Sequence, residues 1–133
     1  PTYAGCIDAW IKSVDRGFYK IPYTYRKYSE LNIEKGRRSG HQQEASFNPD
    51  FFIKINQDIL VVEVKSDEDI NVVNKAKLKY AKKHFADLNK AQKDQKYMFF
   101  FLSPEDFSKF FEAIRNKTYE NYKSNLEVDL ENA

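Results

Sequence analysis

The run Ile59-Leu-Val-Val-Glu-Val-Lys65 constrains the fold of this chain more than any other segment. Its β-branched residues are typical of a buried strand. Because alternate side chains of a strand point to the same face, Glu63 and Lys65 are predicted to share one face with Val61. Two charged side chains therefore end an otherwise apolar strand, where unpaired charges would be costly.

A second predicted strand, Phe51-Phe-Ile-Lys-Ile55, precedes it and is joined to it by the turn-forming residues Asn56-Gln57-Asp58. The two strands predict an antiparallel hairpin. In a hairpin with a two-residue loop, the residue numbers of every cross-strand pair add up to the same odd number. Asp50 would therefore lie opposite Glu63 or Lys65 and point to their side. A three-residue loop would need a bulge to restore that alignment.

Two helices and one further strand are predicted after the hairpin. Residues 71–91 lack Gly and Pro and are rich in Lys, Ala and Leu, which is typical of a long helix. Residues 96–102 form an apolar run typical of a buried strand, and Ser103-Pro104 predicts the start of a helix over 104–116. The polar residues 117–133 are predicted to form a peripheral tail. These elements predict an α/β fold with a central mixed β-sheet flanked by helices.

The N-terminal third is ambiguous. For residues 7–12 the apolar positions fit both a helix and a strand, so periodicity alone leaves the two alternatives open. Gly17 and residues 18–25 predict a turn and an edge strand, since Pro22 restricts the strand to an edge. Residues 26–46 are predicted to form a long, polar connection.

Composition bounds the class of protein. The 133 residues fit one domain, and the 41% hydrophobic and 16% aromatic content indicates a folded chain. Cys6 is the only cysteine, so an intramolecular disulfide is excluded and a reducing, cytoplasmic setting is expected. No apolar run approaches the roughly 20 residues that span a bilayer, so no membrane association is expected. Because the chain begins with Pro1 and its only methionine is Met98, we expect a piece of a longer protein.

Charge is distributed unevenly along the chain. The net charge is only +2, but residues 71–96 contain eight lysines and two aspartates, which leaves +6 locally. A polyanion could bind there, although a solvated helix face is the ordinary alternative. The predicted DNA contacts are Lys75, Lys79 and Lys82 on the helix and Arg37 and Arg38 in the long connection.

The predicted hairpin brings together residues suited to metal-dependent hydrolysis. Two carboxylates, Asp50 and Glu63, suit Mg²⁺, which prefers one or two carboxylates and keeps several waters. Mn²⁺ is expected to substitute for it. Lys65 could orient or deprotonate the attacking water, or stabilise the developing oxyanion. Tyr80 and His84 are candidates to line this site, although a packed tyrosine and a surface histidine are the ordinary alternatives.

At these residues the chain resembles the PD-(D/E)xK nuclease superfamily, because Pro49-Asp50 precedes Glu63-Val64-Lys65 on a hairpin that a helix and a strand follow. A closer resemblance is to the C-terminal endonuclease domain of type III restriction enzymes. Its residues are Ala9-Trp10-Ile11-Lys12-Ser13, Gly17-Phe18 with Ile21-Pro22-Tyr23, Phe47-Asn48-Pro49-Asp50-Phe51, and Glu63-Val64-Lys65. The resemblance extends over residues 7–102.

The resemblance implies a single nuclease domain over residues 1–133, with a restriction-endonuclease-like core that cleaves DNA. Asp50, Glu63 and the backbone carbonyl of Val64 would hold the metal. A helicase-like motor would precede the domain in the same chain, so ATP would act only through that motor. A separate methyltransferase subunit would recognise the DNA sequence. The resemblance also favours the strand alternative for residues 7–12.

Two other functions share these sequence features. A DNA-binding or protein-docking module with the same fold would keep the hairpin and the basic helix without cleaving. A nuclease for RNA or branched DNA would use the same three residues on a differently shaped substrate.

Overall fold

The computed structural model describes residues 9–12, 21–27, 41–66 and 70–132, and side chains within 21–25, 43–66 and 70–132. In this part of the chain there are six strands, β1 (Ala9–Lys12), β2 (Ile21–Lys27), β3 (His41–Phe47), β4 (Phe51–Ile55), β5 (Asp58–Val64) and β6 (Lys96–Leu102). The α-helices are α1 (Val72–Ala91), α2 (Phe107–Arg115) and α3 (Asn125–Asn132), and 3-10 turns cover Pro104–Asp106 and Tyr119–Asn121.

The main sheet has the strand order β1-β4-β5-β6. β4 pairs antiparallel with both β1 and β5, whereas β5 and β6 are parallel. The predicted α/β fold with a central mixed sheet is therefore confirmed, and residues 9–12 form a strand rather than a helix. β5 and β6 are parallel because the long helix α1 carries the chain across the sheet between them.

A second sheet was not predicted. β2 and β3 form a two-stranded antiparallel pair, so the assignment of residues 26–46 to a connection is wrong for 26–27 and for 41–46. The sequence His41-Gln-Gln-Glu-Ala-Ser-Phe47 is polar and has few β-branched residues, so its own composition gives little strand signal. Pairing with β2 supplies the hydrogen bonds that make it a strand.

The turn of the β4–β5 hairpin is tighter than the three turn-forming residues suggested. It contains only Asn56 and Gln57, and Asp58 already pairs with Ile55 in β5. Asn56 has a φ of 55°, a left-handed conformation that asparagine tolerates better than most residues. With this two-residue loop, the residue numbers of each cross-strand pair add up to the same odd number, so no bulge is needed to align the strands.

The main sheet is covered on both faces. On one face, α1 and the β2–β3 pair pack against the sheet through Ile21, Tyr23, Phe47, Val61, Leu78, Ala81, Phe85, Phe99 and Phe101. On the other face, α2 packs through Phe110 and Ile114 against Ile53, Leu60, Val62, Phe100 and Leu102. Coverage of both faces explains why β5 and β6 are nearly continuous apolar runs rather than alternating ones.

The segment after Asn116 belongs to the core, so the prediction of a peripheral tail is wrong. Leu126 and Leu130 of α3 are only 1% and 0% exposed and join the core on the α1 side of the sheet. Asp106 connects the two C-terminal helices, because it accepts hydrogen bonds from the Ser103 and Asn125 amides at 2.9 and 3.0 Å. None of the helices in the described ranges has the length and apolarity needed to span a membrane.

Candidate active site

Asp50 is positioned by the backbone of the neighbouring strand. Its amide donates to the Val62 carbonyl at 2.9 Å, and its Oδ2 accepts from the Val64 amide at 2.8 Å. These two hydrogen bonds bracket Glu63 on β5. The register Phe51↔Val62, extended by one residue, places Asp50 opposite Glu63. The predicted alignment of Asp50 with Glu63 is therefore confirmed.

Glu63 is a buried carboxyl group in direct contact with a second one. It is 4% exposed and shares a hydrogen bond with the Asp50 side chain. Burial, with the hydrogen bond and charge of Asp50, raises the pKa of Glu63 to about 8, against the opposing positive charges of Lys77 and Lys65. Without a metal the pair therefore holds a proton at neutral pH.

Lys77 of α1 is a site residue that sequence reasoning missed. Its Nζ lies 5.7 Å from the centroid of the Tyr23 ring and 5.3 Å from that of Phe47, within the range of a cation–π contact. Burial, followed by the charge of Lys65, lowers the pKa of Lys77, while Glu63 and Asp50 act in the opposite direction. The half-buried ammonium is thus electrostatically coupled to the carboxyl pair.

A signal for Lys77 was present in the sequence. Ala81 and Phe85 follow it at intervals of four residues, and both are buried on the core-facing side of α1. A lysine on the apolar stripe of a helix must either extend to solvent or meet a negative charge. Lys77 was included in the local charge of +6, and contact of this lysine with a negative charge in the core was not considered.

Lys65 completes the group of three predicted residues. It follows the end of β5, and its amide donates to the Leu102 carbonyl at 2.9 Å. Its charge acts on both Glu63 and Lys77. The structure therefore brings Asp50, Glu63 and Lys65 into one electrostatic cluster. The metal-binding role of the Val64 carbonyl stays a prediction.

The predicted DNA-contact residues have different environments. Lys75 and Lys79 are exposed and line a groove beside Tyr80. Lys82 instead forms ion pairs with Glu127 and Glu131 at 3.0 and 3.2 Å, so its charge serves to attach α3. This pairing argues against Lys82 as a phosphate contact. Arg37 and Arg38 lie outside the described residues.

Tyr80 and His84 were candidates to line the site. The Tyr80 hydroxyl and Thr24 Oγ1 are hydrogen-bonded at 2.7 Å, which fixes α1 against β2. The His84 ring packs edge-on against Phe85, with centroids 4.9 Å apart, and burial lowers the pKa of His84. Neither of these two contacts involves the carboxyl pair, and a role for Tyr80 or His84 in lining the site stays a prediction.

The donor set of the site is compatible with a hard divalent cation. Within the described ranges, no group of three or more His, Cys, Asp or Glu side chains gathers in one place, and the described side-chain donors at the site are the carboxyls of Asp50 and Glu63. Burial and the neighbouring Asp50 raise the pKa of Glu63, and a cation in place of the shared proton would supply the positive charge that the pair lacks. Mg²⁺ fits such a set because it needs few protein ligands.

Comparison with known proteins gives no assignment. The chain matches no protein-family model, no curated protein and no solved structure.

Proposed function

We propose that this chain is a Mg²⁺-dependent endodeoxyribonuclease domain of the PD-(D/E)xK type, with a restriction-endonuclease-like core. The observation that carries the proposal is the Asp50–Glu63 carboxyl pair, which two backbone hydrogen bonds to Val62 and Val64 hold in register. In the fuller form of the proposal the domain is the cleavage module of a type III restriction enzyme. Its partners are then DNA, a helicase-like motor in the same chain and a methyltransferase subunit.

Each residue of the site has a distinct role in this proposal. Asp50 and Glu63 would hold the metal, and Glu63 gives up its proton on binding. Mg²⁺, or Mn²⁺ in its place, would supply an activated water and would neutralise charge on the phosphoryl group. Lys65 and Lys77 would provide two ammonium groups that oppose the negative charge developing on the scissile phosphate. Cation–π contacts with Tyr23 and Phe47 hold the Lys77 ammonium beside these rings.

The experiment is nicking of supercoiled plasmid DNA in Mg²⁺ or Mn²⁺. We expect cleavage by the wild type, and Asp50→Asn and Lys65→Ala should each reduce its rate by about 100-fold or more, a loss typical of removing one charge-stabilising group. The matched control is Asp129→Asn, which changes an exposed carboxyl on α3 and should cleave like the wild type. Equal nicking by wild type, Asp50→Asn and Lys65→Ala would contradict the proposal.

A second variant tests the part played by Lys77. Lys77→Met keeps an apolar stem against Tyr23 and Phe47 but removes the charge, so the fold should persist. We expect at least about a 10-fold lower cleavage rate, as for other electrostatic groups near a reacting phosphate. An unchanged cleavage rate would show that Lys77 has only a packing role.

A non-cleaving DNA-binding module is the second candidate function. Lys77 and Lys65 already place two positive charges near the carboxyl pair, and a shared proton satisfies the pair without a metal. Calorimetric titration distinguishes the two functions. Salt-sensitive DNA binding with no heat of Mg²⁺ binding at pH 8.5 would favour the non-cleaving module.

A further inference from the structure

A groove of about 360 Å³ runs between α1 and β2. β2 contributes Thr24 and Tyr25, and α1 contributes Lys75, Lys79 and Tyr80 to its lining. With Val72 and Ala76, which also line the groove, the helix residues recur at spacings of three and four and so follow one side of the helix. Among the described residues of the lining there is no carboxylate, and the groove combines aromatic rings with positive charge.

The tyrosine rings of the groove are held in place. The hydrogen bond between Tyr80 and Thr24 joins the two walls at 2.7 Å, and Lys79 Nζ lies 5.9 Å from the centroid of the Tyr80 ring. Tyr25 stacks on Tyr23, with centroids 6.0 Å apart and an angle of 25° between the rings. Rings that are already ordered lose little conformational entropy when a ligand stacks on them.

A series of contacts joins the groove to the carboxyl pair. Tyr25 contacts Tyr23, the Tyr23 ring lies under Lys77 Nζ, and the charge of Lys77 acts on Glu63. These contacts pass through the buried ring of Tyr23, and they place the groove on the side of the sheet that α1 and β2 cover.

We propose that this groove binds an unpaired segment of the DNA strand that is cut, by stacking of bases on Tyr25 and Tyr80. This inference rests on the proposed nuclease function and specifies its substrate. In a duplex the base faces are covered by neighbouring base pairs, whereas unpaired bases present their faces to aromatic side chains. Lys75 and Lys79, one helical turn apart, are spaced to contact the phosphates of such a strand.

The charges around the groove favour one path for the strand. A neighbouring groove shares Thr24 and Tyr80 but is bordered by Glu44 and Ser46 of β3. The Glu44 carboxylate repels phosphate, so the strand should follow α1 rather than cross β3. Stacking of unpaired bases in the groove predicts that DNA with a frayed end, flap or gap is bound more tightly than an uninterrupted duplex.

The test is fluorescence anisotropy with a labelled oligothymidine and with a duplex of equal length, in EDTA so that cleavage does not interfere. We expect the single strand to bind at least about 10-fold more tightly than the duplex. Tyr25→Leu should weaken single-strand binding by about 5- to 150-fold, the range for loss of one stacked base, with little effect on the duplex. Tyr25→Phe keeps the ring and should bind like the wild type, which separates lost stacking from misfolding.

Several outcomes decide between the possibilities. Equal affinity for single strand and duplex, or wild-type binding by Tyr25→Leu, would overturn the groove assignment even if plasmid nicking depends on Asp50. Tyr25-dependent single-strand binding with no cleavage of any DNA would support the groove and reject the nuclease function. Lys109→Gln is the control for non-specific loss of charge, because Lys109 is exposed on α2, across the sheet from the groove.

Discussion

At the scale of single residues, the contact between Asp50 and Glu63 is the feature with the clearest chemical consequence. Two acids that share a hydrogen bond in a buried site cannot both be ionised without cost. Lys65 and Lys77 reduce that cost, yet the pKa of Glu63 is still raised to about 8. Proton release and metal binding at this site should therefore be linked, with metal affinity increasing as pH rises toward 8.

We predict that the metal-free protein loses stability as pH rises from about 4.5 to about 8. The pKa of Glu63 is about 8 in the folded chain against an ordinary 4.5, so the folded state keeps a proton that the unfolded state has released. This contribution is fully present below pH 4.5 and is lost as pH passes 8. Asp50, Lys65, Lys77 and Tyr23 are the ionisable groups that act on this titration.

Thermal unfolding of Glu63→Gln in EDTA tests this prediction. The amide resembles the neutral acid, so at pH 9 we expect the variant to melt several degrees above the wild type, where 1 kcal/mol corresponds to roughly 2–8 °C. At pH 5 the two should melt together. Burial also raises the pKa of Glu127, so the difference between variant and wild type, rather than the pH dependence itself, reports on Glu63. Parallel melting curves across this pH range would contradict the prediction.

At the scale of elements, the β4–β5 hairpin and the helices α1 and α3 each contribute to the candidate site. β4 and β5 align the carboxyls, whereas α1 carries Lys77 and α3 packs against α1. Lys82 of α1 pairs with Glu127 and Glu131 of α3, and Glu127 is 2% exposed. Leu126 and Leu130 add apolar contact, so α3 stabilises the helix that carries Lys77.

Leu130→Ala should destabilise the protein by roughly 2–5 kcal/mol, because Leu130 is fully buried and its removal leaves a cavity. Val128→Ala is the matched control on the same helix. Val128 is 39% exposed, so its truncation should change the free energy of unfolding by at most about 0.5 kcal/mol. Urea denaturation measures both, and equal midpoints for the two variants would show that α3 is peripheral after all.

At the scale of the whole molecule, ion pairs with carboxylates neutralise part of the positive charge of residues 71–96. Of its eight lysines, Lys82, Lys83 and Lys96 are paired with carboxylates. The Lys77 ammonium lies beside the Tyr23 and Phe47 rings. Lys75 and Lys79 line the groove between α1 and β2, and the described residues of that lining include no carboxylate.

This distribution predicts how DNA binding depends on salt. Lys79→Gln should lower the slope of log affinity against log salt concentration by about 1, since one phosphate contact is lost. Lys83→Gln is the matched control on the same helix, because Lys83 pairs with Asp87 at 2.8 Å. It should leave the slope unchanged. If the two substitutions had equal effects, the lysines would act only through the overall charge of the helix.

The local elements of the fold could be predicted because their signals lie in short segments. The runs at 51–55, 59–65 and 96–102, the Pro-free and Gly-free segment 71–91 and the Ser103-Pro104 helix start all predicted elements that the structure contains. The alignment of Asp50 with Glu63 was equally accessible, because a short hairpin loop leaves few registers. α3 was missed because two leucines in a charged segment are a weak helical signal without the core that buries them.

The sequence by itself determined the hairpin and the proximity of the Asp50 and Glu63 carboxyls, since both depend on residues within fifteen positions of one another. It also determined the α/β class, which follows from the order of strands and helices that short segments encode. Only the tertiary structure decided the rest. It paired the polar strand β3 with β2, placed Lys77 over Tyr23 and Phe47, and assigned Lys82 to Glu127. These contacts join residues from 14 to 54 positions apart, and whether a lysine meets an aromatic ring, a carboxylate or water depends on which segments the core brings together.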